Sequence, residues 1–292
     1  MKKIIKQTKD KDIVQITTSD ERWYVKPVKD KEGIPEIKFV PSVTWIVSYY
    51  PKGIGFMKWL ASKGYDEAEA IKEAAGSKGS KVHLAIEDLL SGKKVKMDAK
   101  YPNKQTGLEE ELKVAEYDCL MAFVDWYNTV KPITIATEAV IFNEEHNYAG
   151  TVDYVCAIKE PITVGRTKIE KGIWIIDFKT SQNVWPSHRL QLSAYKPGVI
   201  KTDAIHNSLS SLMTMGNEFT LEKAKLGILQ LGYRRNKLNY KFTDIPYQFD
   251  LFLHTKAIWE NECGNVEPAQ KDYPITLNLA KVGKSITKKL IK

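Results

Sequence analysis

The chain has 292 residues, of which 43% are hydrophobic and 27% are charged, and its formal net charge is +8. This composition excludes a disordered chain and is typical of a globular protein long enough for one large α/β domain. The positive charge is compatible with a polyanionic partner, but it does not by itself indicate one.

Three cysteines, Cys119, Cys156 and Cys263, are scattered along the chain without a Cys-x-x-Cys pair. They exclude a disulfide framework, so we expect a reducing compartment. The basic start is not followed by the apolar segment of a secretion signal, and no apolar run is long enough to span a membrane. We therefore expect a cytoplasmic protein without membrane contact, in the host cytoplasm if a phage encodes it.

The N-terminal part of the chain predicts short elements and then a helix. Residues 1–40 alternate apolar and charged stretches, which predicts a small hairpin or an arm. Ser42 is suited to cap a short helix through Ser48, and residues 55–75 are mostly helical in character. That helix has one apolar face, which is more often core than a base-stacking platform. The face consists of Phe56, Trp59 and Leu60.

Next comes a region of breaks and helices. The stretch Gly76-Ser77-Lys78-Gly79-Ser80 predicts a flexible break before a helix that carries His83. Residues 92–106 are polar and basic and predict a loop. The stretch Thr106-Gly107-Leu108-Glu109 is typical of a capping box and predicts a long helix to about Val130. We expect its buried face to contain Leu112, Ala115, Cys119, Ala122, Phe123 and Trp126.

Two strands are predicted in the middle of the chain. Residues 133–142 place Glu138 near the centre of the first strand. Residues 150–158 form the second strand, which contains Asp153, and Gly150 allows close backbone approach at its start.

A third predicted strand, residues 172–179, is rich in β-branched and aromatic residues and follows a glycine. Because side chains alternate along a strand, Asp177 and Lys179 share one face and Phe178 points into the core. A helix is expected from about Ser187, as N-cap, to Lys196.

In that helix Gln191 and Tyr195 are four residues apart and lie on one face, with His188 three residues before Gln191. The remaining chain predicts a polar connector over 201–218, strands near 226–233 and 240–244, a helix over 247–263, and a basic tail after Val266. Such a tail is more often a solvated end than a nucleic-acid contact.

Each polar feature alone has a simpler explanation, because polar residues on strands and helices are usually exposed. Together they place Asp153, Asp177 and Lys179 around one point. Two carboxylates can bind a hard divalent cation, and a neighbouring lysine can position a water molecule or stabilise a developing negative charge. This combination suits metal-dependent cleavage of a phosphodiester.

The order G-x-x-D, D-x-K-T, Q-x-x-x-Y resembles the PD-(D/E)XK nucleases, and more narrowly their RecB-like exonuclease branch. A G-x-x-x-H helix with a following acidic residue, Gly79 to Glu87, matches the same branch. The resemblance covers about residues 79–195, with a weaker match in Pro41-Ser42-Val43-Thr44. Within the branch, the motifs are similar to those of phage exonucleases and the mitochondrial genome maintenance exonuclease. Iron-sulfur relatives need four cysteines, so we expect no iron-sulfur cluster here.

The resemblance implies a role for each site residue. It implies Mg²⁺ or Mn²⁺ as cofactor and Lys179 as the residue that positions or activates the attacking water. It implies that Glu138 orders the metal's water shell or pairs with Lys179. Gln191 and Tyr195 would hold the site and the DNA strand. The metal ligands would be His83, Asp153, Asp177 and the Phe178 carbonyl.

Four residues keep a second interpretation. His83 has apolar neighbours in the sequence, and such a histidine is often a satisfied structural residue. Arg189 is a candidate DNA contact because guanidinium groups bind phosphate in a bidentate manner, but an exposed turn is the alternative. The pair Arg234-Arg235 has the same two interpretations.

We therefore expect an α/β fold with a restriction-endonuclease-like core: a central mixed β-sheet flanked by helices, with an N-terminal helical elaboration. Residues 1–292 would form a single nuclease domain, with an arm and helices over 1–75, the core over 76–265 and the tail over 266–292.

The expected function is a divalent-metal-dependent DNA exonuclease that favours single-stranded DNA or DNA ends, in recombination, repair or replication. Expected partners are DNA and a recombination or replication protein. One alternative is a catalytically weak or inactive DNA-binding module of a larger assembly. The other is an unrelated α/β protein with an accidental match.

Overall fold

The structure, a computed structural model, describes residues 4–18, 20–29, 33, 35–103, 107–209, 216–264 and 266–269. Most of the predicted basic tail, from residue 270 onward, lies outside this range. Within the described residues, no helix combines the length and the apolar character that a membrane span requires.

The N-terminal residues form a four-stranded antiparallel sheet, not the expected hairpin or arm. Each strand pairs with the next one in the chain. Trp23 and Tyr24 in the third strand are buried, since the sheet packs against the rest of the molecule. The strands are β1 (Ile4–Gln7), β2 (Val14–Thr17), β3 (Arg22–Lys29) and β4 (Pro35–Pro41).

Helices follow this sheet. Helix α1 (Val43–Ile46) is capped as predicted, because the Ser42 hydroxyl accepts a hydrogen bond from the backbone N–H of Trp45 at 3.1 Å. A 3₁₀ turn at Val47–Tyr49 leads to helix α2 (Ile54–Lys63). Helix α2 buries none of its residues, so its apolar stripe is not core: Phe56, Trp59 and Leu60 are only partly buried.

Helix α3 (Tyr65–Leu90) is continuous, so the predicted break at residues 76–80 is wrong. A glycine inside a helix costs about 1 kcal/mol, which packing can outweigh. Here Ser77 and Lys81 are buried, and the Lys81 ammonium lies 2.9 Å from the Glu116 carboxylate. These contacts stabilise the helical conformation at the glycines within residues 76–80.

The predicted capping box at Thr106 to Glu109 does not open a helix. Thr106 lies outside the described residues, and Glu109 belongs to β6 (Glu109–Glu111), which pairs with β5 (Lys100–Pro102). Helix α4 (Val114–Val130) has Lys113 as its N-cap, seven residues after the predicted cap Thr106, and the Glu116 carboxylate accepts from the Lys113 N–H at 2.7 Å. Four members of the expected helix face are buried, namely Cys119, Ala122, Phe123 and Trp126. Ala115 is half-buried, and Leu112 is buried but precedes the helix.

The three central strand predictions are confirmed to within two residues. These strands are β7 (Ile133–Asn143), β8 (Tyr148–Ile158) and β11 (Gly172–Lys179). A short hairpin lies between the last two, with β9 (Ile162–Val164) and β10 (Thr167–Ile169).

Helix α5 (Pro186–Ile200) starts one residue before the expected cap. Trp185 is the N-cap and Pro186 the first helical residue, a position that the fixed φ of proline favours. Ser187 therefore lies inside the first turn. The chain continues through α6 (Asp203–Asn207), β12 (Lys225–Leu231), β13 (Tyr240–Ile245) and α7 (Phe249–Cys263).

The central sheet has five strands in the order β13-β12-β11-β8-β7. It is mixed, since β11 and β12 run parallel and the other neighbours run antiparallel. A parallel pair needs a crossover connection, and the chain between these two strands contains α5. The protein is thus an α/β protein with a mixed central sheet flanked by helices.

Each face of the sheet has its own hydrophobic layer. Alternation along β11 sends Ile173 and Ile175 toward α5 and α7. Trp174 and Ile176 point to the opposite layer, with α3 and α4. Trp23 of the N-terminal sheet belongs to the α5 layer, so that sheet shares the main core.

Candidate active site

Strand β11 carries two charged side chains on its α5 face. Ile173 and Ile175 occupy that face, and alternation continues it to Asp177 and Lys179. Asp177 is 1% exposed, and the Lys179 ammonium lies 2.5 Å from its Oδ2. The prediction that these two side chains share a face is confirmed.

Phe178 links the core to the site. Its buried ring packs against the rings of Phe123 and Tyr154, with centroids 5.5 and 5.9 Å away. Its main chain contacts two site residues: the N–H donates to Asp153 Oδ2 at 2.8 Å, and the carbonyl oxygen lies 3.0 Å from His83 Nε2. The aromatic core thereby fixes the position of a backbone oxygen that a cation could bind.

His83 enters this site from α3, and both of its ring nitrogens face oxygen atoms. Nε2 faces the Phe178 carbonyl, and Nδ1 lies 3.5 Å from Asp153 Oδ1. Burial disfavours the imidazolium, but the Asp153 carboxylate outweighs burial and raises the pKa of His83. Burial alone would raise the pKa of Asp153, but His83 and Lys179 lower it. The histidine therefore faces polar groups and does not fill an apolar pocket.

Glu138 completes a three-residue cluster. It enters from β7, where its neighbours pair with the residues on either side of Asp153. One potential ligand atom from each of His83, Glu138 and Asp153 lies within 4.8 Å of the other two. This spacing is suited to a shared cation, since carboxylate oxygens and imidazole nitrogens both bind Mn²⁺.

The carboxylates at this site are crowded. Burial, followed by the charge of Asp153, raises the pKa of Glu138 to about 7. Burial also raises the pKa of Asp177 to about 6; Lys179 opposes this change and Asp153 adds to it. In both residues burial is the main cause of the raised pKa, because it disfavours the ionised carboxylate. A divalent cation bound beside these carboxylates would favour their ionised forms.

Gln191 and Tyr195 on α5 hold Asp177. The Gln191 amide donates to Asp177 Oδ1 at 3.0 Å and to the Tyr195 hydroxyl at 2.8 Å. Its carbonyl oxygen accepts from the Lys179 ammonium at 3.3 Å. Both α5 side chains are buried, so they orient the acid and the lysine from behind.

The absence of a side chain at Gly150 leaves room for the ring of Tyr195. A Cβ at position 150 would lie 2.6 Å from Cε1 of the Tyr195 ring, which is closer than real Cβ contacts. The G-x-x-D glycine therefore permits the close approach predicted from the sequence. Gly79 has no such role, because a Cβ there would meet Thr180 Oγ1 at an ordinary 3.7 Å.

The arginines suggested as DNA contacts lie at the surface. Arg189 is exposed on α5 and does not line the cleft described below. Arg234 and Arg235 are exposed in the turn after β12. That turn is tied to the loop after β11, because the Arg234 N–H donates to Gln182 at 3.0 Å and the Arg235 guanidinium donates to Asn183 at 3.2 Å.

The acidic cluster opens into a cleft of about 1150 Å³. The N-terminal sheet supplies one wall, through residues that the sequence analysis missed. The Tyr24 hydroxyl hydrogen-bonds to the Thr151 hydroxyl at 2.8 Å, and the Arg22 guanidinium donates to Thr44 at 3.2 Å. The aromatic and β-branched run Trp23-Tyr24-Val25 was the available signal for this strand.

Comparison with known proteins adds no further guidance. No protein-family model matches the chain, and no curated protein matches it significantly. The functional interpretation depends on the geometry of the cleft.

Proposed function

We propose that this chain is a divalent-metal-dependent DNA exonuclease with a restriction-endonuclease-like core of the PD-(D/E)XK, RecB-like type. One observation carries the proposal. The His83, Glu138 and Asp153 cluster lies beside the Asp177–Lys179 pair at the end of a central strand, inside a large cleft. This combination of acids, imidazole and lysine suits phosphodiester hydrolysis.

The donor atoms fit a hard divalent cation. The ligands of Mg²⁺ or Mn²⁺ would be His83, Glu138, Asp153 and the Phe178 carbonyl. Asp177, expected from the resemblance as a further ligand, is not part of the three-residue cluster and pairs with Lys179. A bound cation would neutralise charge on the phosphate oxygens and lower the pKa of a bound water. The raised pKa values of Glu138 and Asp177 support this assignment, because a cation would favour their ionised forms.

Lys179 would act on the attacking water. Its ammonium is held between Asp177 and Gln191, and its side chain is only partly buried, so it faces both the acids and the cleft. From there it orients a water molecule and stabilises negative charge on the phosphate. Asp177 keeps the lysine in place, and Gln191 keeps Asp177 in place.

The substrate and setting are part of the same proposal. DNA ends or single strands would enter the cleft, whose lining includes the cations Arg22, Lys52 and Lys78. The net charge of +8 supports a polyanionic substrate. We place the activity in recombination, repair or replication, with a recombination or replication protein as partner, in the cytoplasm.

The test is degradation of end-labelled single- and double-stranded DNA in Mg²⁺, Mn²⁺ or EDTA. We expect metal-dependent degradation by the wild type and a loss of at least about 100-fold in Lys179→Ala and Asp177→Asn, the scale of removing a catalytic group. Lys168→Ala is a matched control, because Lys168 pairs with Glu170 on the β9–β10 hairpin. Its activity should equal that of the wild type.

Two outcomes would contradict the proposal. If the wild type shifts DNA on a gel but never degrades it, the chain is a DNA-binding module. Absence of both cleavage and binding would favour an unrelated α/β protein with an accidental match.

A further inference from the structure

Trp185 lies at the rim of the cleft with an unusually exposed indole. It is 52% exposed and lines the same cleft as Asp177 and Lys179. Other tryptophans, such as Trp126 and Trp174, are fully buried. A large aromatic surface left open beside a reaction centre is typical of a binding residue, since burial of that surface would otherwise be favourable.

The backbone of Trp185 is tied to the first turn of α5. Its N–H donates to His188 Nδ1 at 3.4 Å, and its carbonyl oxygen accepts from the His188 N–H at 3.0 Å. Pro186 fixes the next φ as the first residue of α5. The indole therefore projects into the cleft from a backbone that the start of α5 holds in place.

Lys52 adds a positive charge to the same cleft. Among the described residues, no carboxylate forms an ion pair with its ammonium, and the charged residue that acts on it is another cation, Lys72. Partial desolvation and the like charge of Lys72 lower the pKa of Lys52. Desolvation, Lys179 and Lys52 together lower the pKa of His188 to about 3, so His188 is neutral at pH 7. A phosphate would relieve the repulsion among these cations.

We propose that Trp185 and Lys52 form a subsite for one unpaired nucleotide next to the scissile phosphate. The indole stacks on the base and the Lys52 ammonium binds the phosphate of that nucleotide. The inference depends on the proposed nuclease function and adds a reason for a single-strand preference. In an intact duplex both faces of a base are already stacked, so the indole can reach only an unpaired or frayed nucleotide. Stacking tolerates any base, because every base has a π face.

The first experiment measures binding without cleavage. A 5′-fluorescein (dT)₁₂ oligonucleotide is titrated in Ca²⁺, its anisotropy is recorded, and gels verify that it stays intact. Stacking on an aromatic residue contributes about 1–3 kcal/mol, so Trp185→Ala should weaken the Kd about 5- to 150-fold. Trp185→Phe should keep most of the affinity. Tyr65→Ala is the matched control, because Tyr65 is 70% exposed and does not line the cleft.

Lys52→Gln tests the phosphate contact. Loss of one contact should weaken binding and reduce the slope of log Kd against log salt by about 0.7, the value for one phosphate on a single strand. An unchanged slope would refute the role of Lys52.

Abasic substitution locates the stacked base. Replacing each thymidine in turn should give one position at which the wild type loses as much affinity as Trp185→Ala does. At that position Trp185→Ala should lose nothing more. The subsite is refuted if Trp185→Ala binds like the wild type, if no position behaves this way, or if blunt duplex suffers the same loss.

The two proposals can fail separately. A wild type that degrades DNA, with Trp185→Ala unchanged in binding, would overturn the subsite alone. A wild type that neither binds nor degrades DNA would overturn both.

Discussion

Glu138 shows how backbone strain places a functional group. Its φ is +48°, a left-handed conformation that costs a non-glycine residue about 1–2 kcal/mol. The conformation occurs inside an antiparallel strand, opposite Asp153, where ordinary extended backbone would be expected. Such strain persists only where the surroundings enforce it, and it is common at functional sites. Here it coincides with the convergence of Glu138, His83 and Asp153.

Gly150→Ala tests the packing that supports the site. The new Cβ would overlap the Tyr195 ring, which is buried and has little room to move. Overpacking typically costs about 1–3 kcal/mol, so we expect that loss in the free energy of unfolding, measured by urea denaturation. DNA cleavage should fall as well, because Tyr195 shares Gln191 with Asp177.

Gly79→Ala is the matched control for Gly150→Ala. Its Cβ has an ordinary contact, and alanine favours a helix interior over glycine by about 1 kcal/mol. We expect unchanged or greater stability. Equal losses of stability in the two variants would contradict the packing argument.

At the scale of elements, local patterns predicted the site-bearing segments well. Strands β8 and β11 have strong apolar and β-branched patterns, and alternation alone placed Asp177 and Lys179 together. The incorrect predictions share a cause. Gly/Ser content at residues 76–80 and the capping pattern at Thr106 are local signals that tertiary contacts overrode. The proximity of Glu138 to His83 comes from packing between distant segments, which no local pattern encodes.

The start of α5 should respond to pH through His188. Desolvation, Lys179 and Lys52 lower the pKa of His188 to about 3, whereas an unfolded histidine titrates near 6.5. Below pH 6.5 the unfolded chain takes up a proton and the folded one does not. This contribution to stability is therefore present above pH 6.5 and is lost progressively as the pH falls toward 3.

His188→Gln is the variant that isolates this effect. Glutamine can still accept from the Trp185 N–H but does not titrate. Between pH 6.5 and 4.5 the wild type should lose more unfolding free energy than the variant, by less than about 1.4 kcal/mol per pH unit because the side chain is only partly buried. Urea denaturation at several pH values measures both slopes. Parallel slopes would exclude His188 as their source.

At the scale of the whole molecule, the cleft is a product of two sheets. The central sheet supplies the acids and Lys179, and the N-terminal sheet supplies Arg22 and Tyr24. Trp23 of the small sheet packs edge-on against Trp45 and Trp259, which anchors that wall to the main core. This wall was not predicted from the sequence, because the docking of the small sheet depends on residues far along the chain, such as Trp259.

Divalent cations should stabilise the whole fold through this site. A ligand that binds only the folded state at 100 times its Kd adds about 2.7 kcal/mol, so Mn²⁺ should raise the Tm by several degrees.

The pKa of Glu138, about 7, determines how the stability of the metal-free protein changes with pH. Burial disfavours the ionised carboxylate, so the folded chain holds the Glu138 proton more tightly than the unfolded chain does. Without metal, the stability that this difference contributes is fully present below the unfolded pKa of Glu138. It is lost as the pH rises through 7.

Metal binding has the opposite pH dependence, because a cation binds the ionised carboxylate. The rise in Tm with Mn²⁺ should therefore be larger at pH 7.5 than at pH 6. Glu138→Gln should reduce the rise and flatten its pH dependence, and Asp153→Asn should abolish the rise. Glu170→Gln, in an exposed ion pair on the β9–β10 hairpin, should keep the full effect. A shift in Tm that survives in Asp153→Asn would place the cation elsewhere and remove the physical basis for metal-dependent cleavage in this cleft.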